Sequence, residues 1–254
     1  MMSIKKSKAI LKRTSILLVF AAFVLVIFSC SPWRNATRRN MTVAFYNVEN
    51  LFDLESEPGK RDQEFTPDGE KDWNTRRYRK KLQDLSRVIS AINEGDLPEI
   101  VGFSEVENEQ VVHDLTRTGM LARGKYKIVH HESPDVRGID CALIYRPSEF
   151  TVLEHSAIPV WFKDNPEYKT RDILYVKGRT RNWEEIHVFV NHWPSRIGGV
   201  SETNARRVRA AEVLKEKIDS LSGEIDSKAH ILIMGDMNDE PVNESLSEVL
   251  SAQS

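Results

Sequence analysis

Apolar residues recur along the chain in short runs of strand length, and several of these runs end in a single polar residue. Positions 41–46 (MTVAFY) are rich in β-formers and predict a strand that stops at Asn47. Positions 98–103 predict a second strand with Glu105 just past its end, and 126–131 and 141–145 predict two more. Strand-like pieces fill 151–176, with Thr170, Arg171 and Asp172 at one junction. Positions 186–190 form an apolar run followed by Asn191 and His192, and 231–234 form one followed by Gly235, Asp236 and Asn238. Helical spacing appears elsewhere. Tyr78, Leu82, Leu85, Ile89 and Ile92 lie three or four residues apart and predict a helix over 74–94 with one buried face. Ala205, Val208, Ala211, Leu214, Ile218 and Leu221 predict the same over 201–221, and shorter helices are expected at 109–118 and 244–250. The polar stretch 54–73, with Pro58, Gly59, Pro67 and Gly69, reads as a long loop of the kind that often carries function.

The first 30 residues break this pattern. Lys5, Lys6, Lys8, Lys12 and Arg13 precede an unbroken apolar run over 16–28, and Ser29 and Cys30 follow. The run is too short to span a bilayer and has signal-peptide proportions. Residues 31–40 read as a tether and 41–254 as one domain. A hydrophobic fraction of 40% is enough for a sizeable core. The first 29 residues hold five of the 36 basic groups and no acidic ones, so the remainder has 31 basic against 38 acidic, a net charge of −7. That excludes a general electrostatic DNA binder and confines phosphate contacts to local patches. With two cysteines in the chain there is no disulfide framework, and Cys141, in an apolar run, reads as a small buried side chain.

Each polar strand-end residue has an ordinary explanation by itself: Asn47 ends a strand, Glu105 is a surface acid, His192 is a satisfied core histidine, and Asp236 and Asn238 are turn formers. Five such placements in one domain point to a shared site, because strand ends at one sheet edge converge. Carboxylates and carboxamides together suit Mg²⁺, a hard cation that takes oxygen ligands and keeps several waters, with Mn²⁺ or Ca²⁺ as alternatives. A nearby histidine suits proton transfer or charge stabilisation in hydrolysis. No cysteine–histidine spacing suggests zinc, and there is no nucleophile elbow, Walker loop or dinucleotide fingerprint. The cations Arg76, Arg77, Arg79, Lys80 and Lys81 at the start of the 74–94 helix read as a solvated face more readily than as a substrate patch.

Five segments, in order, resemble the endonuclease/exonuclease/phosphatase family: NVENLFD, GFSEVEN, RGIDCALIYRP, VNHWPSR and ILIMGDMNDEP. The resemblance covers about 41–254. It implies an α/β fold, a four-layer sandwich of two mixed β-sheets flanked by helices, and Mg²⁺-dependent hydrolysis of a phosphoester by in-line attack of water. Carried over residue by residue, it makes Glu105 the principal metal carboxylate, with Asn47 beside it. Asp236 orients or deprotonates the water or holds a second metal, and Asn238 positions the phosphate or Asp236. His192 stabilises phosphoryl charge or protonates the leaving oxygen, and Asp140 is expected as its acidic partner. Arg137, Arg171 and Arg196 are phosphate contacts or structural ion pairs. The segment Ile27 to Cys30 likewise resembles a bacterial lipoprotein cleavage box, with Cys30 lipidated; a plain secretory signal and a short anchor are the alternatives. All three put the domain outside the cytoplasm, and lipidation at Cys30 places it in the bacterial cell envelope.

The family pattern closes with a late Asp–His pair, and no Asp–His dipeptide occurs in this sequence. The expectation is therefore a fragment or a defective product, with an incomplete second sheet, little activity and low stability. The function expected of the complete domain is a metal-dependent phosphodiesterase acting on nucleic acid as an endonuclease and working as a monomer. The alternatives are a sphingomyelinase-like or small-molecule phosphoesterase, and a lipid-anchored phosphate-binding protein without turnover.

Overall fold

The computed structural model describes residues 40–93, 95–222 and 230–252. The basic opening, the apolar run, Cys30 and the tether up to residue 39 lie outside the described residues. From Met41 onward the chain is one compact unit. No helix among the described residues is long and apolar enough to cross a membrane.

Two four-stranded sheets form the centre. The first contains β1 (Val43–Leu51), β2 (Ile100–Val106), β3 (Lys127–His130) and β4 (Asp140–Tyr145) in the order β1-β2-β4-β3. The second contains β5 (Phe150–Ile158), β6 (Ile173–Thr180), β7 (Glu185–His192) and β8 (His230–Asp236) in sequence order. Both are mixed: β1–β2 and β7–β8 are parallel and the other pairings antiparallel. Three apolar clusters define four layers. Ile100, Leu143, Phe150, Val176 and Val188 fill the space between the sheets, and Cys141 lies among them. The far side of the first sheet packs on α1 (Thr75–Ser90) and α2 (Glu109–Thr116), and the far side of the second on α3 (Val200–Ser222). The expected sandwich of two mixed sheets with outer helices is what the chain forms.

Local chemistry accounts for the elements. Asn74 caps α1 by accepting from the Arg76 and Arg77 amides, and Asn108 caps α2 through the Val111 amide. Tyr78, Leu82, Leu85 and Ile89 are buried as their spacing requires. Ile92, expected on the same face, is 40% exposed because the helix ends at Ser90 with Ala91 as its cap. Gly102 in β2 allows close approach of the sheets, since a Cβ there would lie 2.7 Å from the Met234 sulfur and 3.2 Å from Val190.

In α3 the expected face is only partly correct. Ala211, Leu214 and Leu221 are buried, but Ala205 is exposed and Arg207 lies on the buried side. The Arg207 side chain has no solvent exposure; its Nε sits 3.0 Å from Asp239, and its outer nitrogens donate to the Thr203 hydroxyl and the Val200 carbonyl. An ion pair has taken a place on the helix that the apolar period assigns to a hydrophobe. It ties α3 to the loop after β8.

Candidate active site

The polar residues that end β1, β2, β7 and β8 meet at one end of the sandwich. β1 runs parallel to β2 with Asn47 opposite Ser104, and both strands then bulge. The bulges carry positive φ at Glu49 (53°), Asn50 (63°) and Glu105 (64°). Such angles are uncommon for side-chain-bearing residues and mark places where the surroundings hold a strained backbone. The effect at Glu105 is to break the alternation of β2 and re-aim its carboxylate. In the second sheet the parallel register pairs His192 with Asp236.

One hydrogen bond joins the two sheet ends: Asn47 Nδ2 donates to Asp236 Oδ2 at 3.0 Å. The other Asp236 oxygen accepts from the Asn238 amide at 3.0 Å. Each oxygen thus has one fixed donor and a lone pair to spare. Asn47 Oδ1 accepts from the Glu49 amide, which sets the orientation of the carboxamide. Asn238 stands at φ 51° and returns its Nδ2 to the Trp193 carbonyl. Gly235 makes the approach possible. Its φ is 153°, and a Cβ there would lie 2.3 Å from the Asn191 carbonyl oxygen.

Glu105 is the least satisfied member. Its side chain is 14% exposed, and His192 Nε2 lies 3.6 Å from Oε1, too long for a hydrogen bond. No donor among the described residues bonds to it. A largely buried carboxylate without a donor, beside two carboxamides and a second carboxylate, is an oxygen-rich set that fits a hard divalent cation. Glu105, with Asn47 and Asp236 beside it, would hold such an ion.

His192 is buried, and its Nδ1 has no partner among the described residues. Burial, with the charges of Arg171 and then Arg137, pushes its pKa down to about 2. The ring is neutral at physiological pH, which suits a hydrogen-bond donor to developing phosphoryl charge better than a resting imidazolium acid.

Asp140 departs from its expected place, and the three arginines take the ion-pair form of theirs. Asp140 does not partner His192. It is buried at the start of β4, bonded by the Ser133 amide and hydroxyl and by His130 Nε2 at 3.1 Å, because that strand end faces β3 and its following loop. Arg171 is committed to structure: it donates to the His192 and Trp193 carbonyls and pairs with Asp135 at 3.2 Å, with its side chain 5% exposed. Arg196 donates to the Asn238 carbonyl and pairs with Asp239 and Glu240, and Arg137 lies 3.7 Å from Asp135. Of the three arginines, Arg137 and Arg196 keep substantial exposure, 41% and 31% of the side chain.

Some participants escaped the sequence reading. Lys81 reaches back from α1 and donates to the Glu49 carbonyl at 2.5 Å. Burial lowers its pKa, with the Glu49 and Glu105 charges working the other way. Asp172 precedes β6 with one buried carboxylate oxygen unpaired among the described residues, and burial, helped by Asp140, raises its pKa to about 6. His130, Glu132 and Asp140 also bring ligand atoms within 4.8 Å of one another. The His130–Asp140 contact is equally that of a buried hydrogen-bonded pair.

With this geometry in place, comparison with known proteins gives a consistent result. The Endonuclease/Exonuclease/phosphatase family model matches residues 42–254. No curated protein sequence matches the chain. Among solved structures, an endonuclease/exonuclease/phosphatase family protein from Bacteroides thetaiotaomicron superposes with a TM-score of 0.57 at 16% identity, covering 83% of this chain and 68% of that one. The human nocturnin catalytic domain, with a bound sulfate anion, gives 0.51 at 20% identity, covering 68% of this chain and 62% of that one. TDP2 of D. rerio in complex with a single-strand DNA product gives 0.51 at 15% identity, covering 82% and 64%. The chain thus spans less than two thirds of the nocturnin and TDP2 chains. At these identities the likeness is one of fold.

Proposed function

Because the chain belongs to the endonuclease/exonuclease/phosphatase family, we propose that its site hydrolyses phosphodiesters by in-line attack of water with the help of a divalent cation, Mg²⁺ in the first instance, and that nucleic acid is the substrate. The observation that carries the reading is the Asp236 carboxylate, fixed by Asn47 and the Asn238 amide, within the same strand-end cluster as the Glu105 carboxylate, which has no donor among the described residues. When bound, the cation supplies Lewis-acid polarisation of the phosphoryl oxygen and offsets its charge.

The protein groups have separate tasks. Asp236 orients a water and takes its proton as the new P–O bond forms. Asn47 and Asn238 keep that carboxylate in a single orientation, which removes the cost of arranging it during the reaction. His192, neutral, donates a hydrogen bond to a phosphoryl oxygen as the bond to the leaving oxygen breaks. That oxygen departs with a proton drawn from solvent.

Hydrolysis of bis(p-nitrophenyl) phosphate, plasmid DNA and sphingomyelin vesicles, each with Mg²⁺ and with EDTA, tests the reading. Mg²⁺-stimulated cleavage of the chromogenic diester and the plasmid supports it. Preference for sphingomyelin moves the protein to the lipid-directed alternative, and phosphate binding without turnover moves it to the binding-protein class. Replacing His192 with alanine is expected to slow turnover roughly 10²-fold. An unchanged rate with a lower unfolding temperature would return His192 to a packing role.

The amino-terminal segment supports a place in the bacterial cell envelope, anchored through lipid on Cys30. Cys30→Ser is expected to move the protein from the membrane to the soluble fraction and to change its mass by the lost acyl groups. Unaltered partitioning would assign the anchor elsewhere.

A further inference from the structure

A cavity of about 440 Å³ opens beside Asn47, between the end of β1 and the first turns of α1. Its walls include Trp73, the cations Arg77, Lys80 and Lys81, and the acids Glu49 and Asp84. Resting on the phosphodiesterase reading above, we infer that this cavity is a subsite for a phosphate that neighbours the scissile one in a nucleic-acid strand.

Position is the first support. Asn47 lines the cavity and also holds Asp236, so a ligand there lies one side chain from the reacting centre. Charge is the second. Arg76, Arg77, Arg79, Lys80 and Lys81 put five cations into six residues of a chain whose part after residue 29 carries a net charge of −7. The first turn of α1 has no acidic residue, although a helix start favours acids and disfavours cations. Helix stability therefore does not account for the run. Each cation facing the cavity is steadied by one bond to the protein. Arg77 donates to the Lys71 carbonyl at 2.7 Å, Lys80 pairs with Asp84 at 2.6 Å, and Lys81 donates to the Glu49 carbonyl. An arginine has five N–H donors and a lysine three, so most remain for phosphate oxygens.

The same walls select against a phosphocholine headgroup. A quaternary ammonium needs the open face of an aromatic ring. The Lys81 ammonium already stands 5.9 Å from the centroid of Trp73, and its charge repels a second cation. A strand with an anionic charge at every nucleotide meets three cations against the two carboxylates of Glu49 and Asp84, the latter already paired with Lys80.

The test is binding of a short fluorescein-labelled single-stranded oligonucleotide to the full chain in EDTA, by anisotropy over a salt series, together with kcat/KM in Mg²⁺ for the oligonucleotide and for bis(p-nitrophenyl) phosphate. For Arg77→Gln/Lys80→Gln the salt slope is expected to become shallower by about 1.4, about 0.7 per lost single-strand contact. Affinity at low salt should fall about tenfold, as should the ratio of oligonucleotide to small-diester kcat/KM. Arg87→Gln, on the same helix but outside the cavity, is the charge control and should move neither. Identical slopes for the two variants would overturn the subsite. So would sphingomyelin turnover that rises when Arg77 and Lys80 are neutralised. Failure of wild type to cleave the small diester, with the slope change still present, would instead sink the proposed function and leave a nucleic-acid-binding groove.

Discussion

Replacing Glu105 with glutamine is expected to lower Mg²⁺-dependent phosphodiester hydrolysis by about 10³-fold, because the metal's charge contribution is worth several kcal/mol in the transition state. The change keeps volume and shape and removes one negative charge. That charge is the least compensated in the site: the carboxylate is 14% exposed, accepts no bond from a donor among the described residues, and faces a neutral imidazole 3.6 Å away. Its backbone is held at φ 64° by the bulge in β2, which sets the same Cα–Cβ direction for either residue. Mg²⁺ affinity should fall with the rate, while the unfolding temperature should hold or rise, since a buried, donor-poor charge has been removed. Full activity and unchanged metal affinity in the variant would show that Glu105 is not a ligand. A collapse of folding together with activity would make it a structural residue.

The second large effect is on stability. Asp239→Ala is expected to cost about 3–5 kcal/mol, the usual consequence of leaving one partner of a buried ion pair alone. Both side chains are fully buried and 3.0 Å apart. Removing the carboxylate strands the Arg207 guanidinium and also frees Asn243 Nδ2 and the Ser245 hydroxyl, which both donate to Asp239. Burial by itself would raise the Asp239 pKa, but the bonds from Ser245 and Asn243 and the Arg207 charge outweigh it and hold it below the ordinary value. The sign follows. A depressed folded-state pKa stabilises fully above the unfolded value of about 4 and loses that stabilisation as pH falls below it. Urea unfolding at neutral pH should show the full difference between wild type and variant, and the gap should narrow in acid. A variant within about 0.5 kcal/mol of wild type at neutral pH would assign the fastening of α3 to its apolar contacts alone.

How much of this was legible beforehand depended on whether the signal was local. The strands at 43–51, 100–106 and 185–192 and the first helix are visible in period and composition, because one face of each meets a core. Asn47, Glu105, His192 and Asp236 stood out because each closes an apolar run, and strand ends converge in any sheet. What stayed hidden was pairing over distance. Arg207 occupies a hydrophobe's place because Asp239, on another element, receives its charge. Asp140 bonds Ser133 and His130, a choice made by the order β2-β4-β3, which no spacing encodes. Lys81 looked like one of five solvated cations until the fold brought Glu49 over its ammonium.

The buried Cys141 gives the molecule an internal gauge. It sits in β4 opposite Ser104, one residue from Glu105 in the pairing, and burial raises its thiol pKa far above the ordinary value. A thiol so placed cannot meet a water-borne alkylating reagent until the two sheets part or the chain opens. Its labelling rate in native buffer therefore measures how often the seam under the site breathes. A ligand that clamps the strand ends together should slow that rate even where it leaves the global unfolding temperature unmoved.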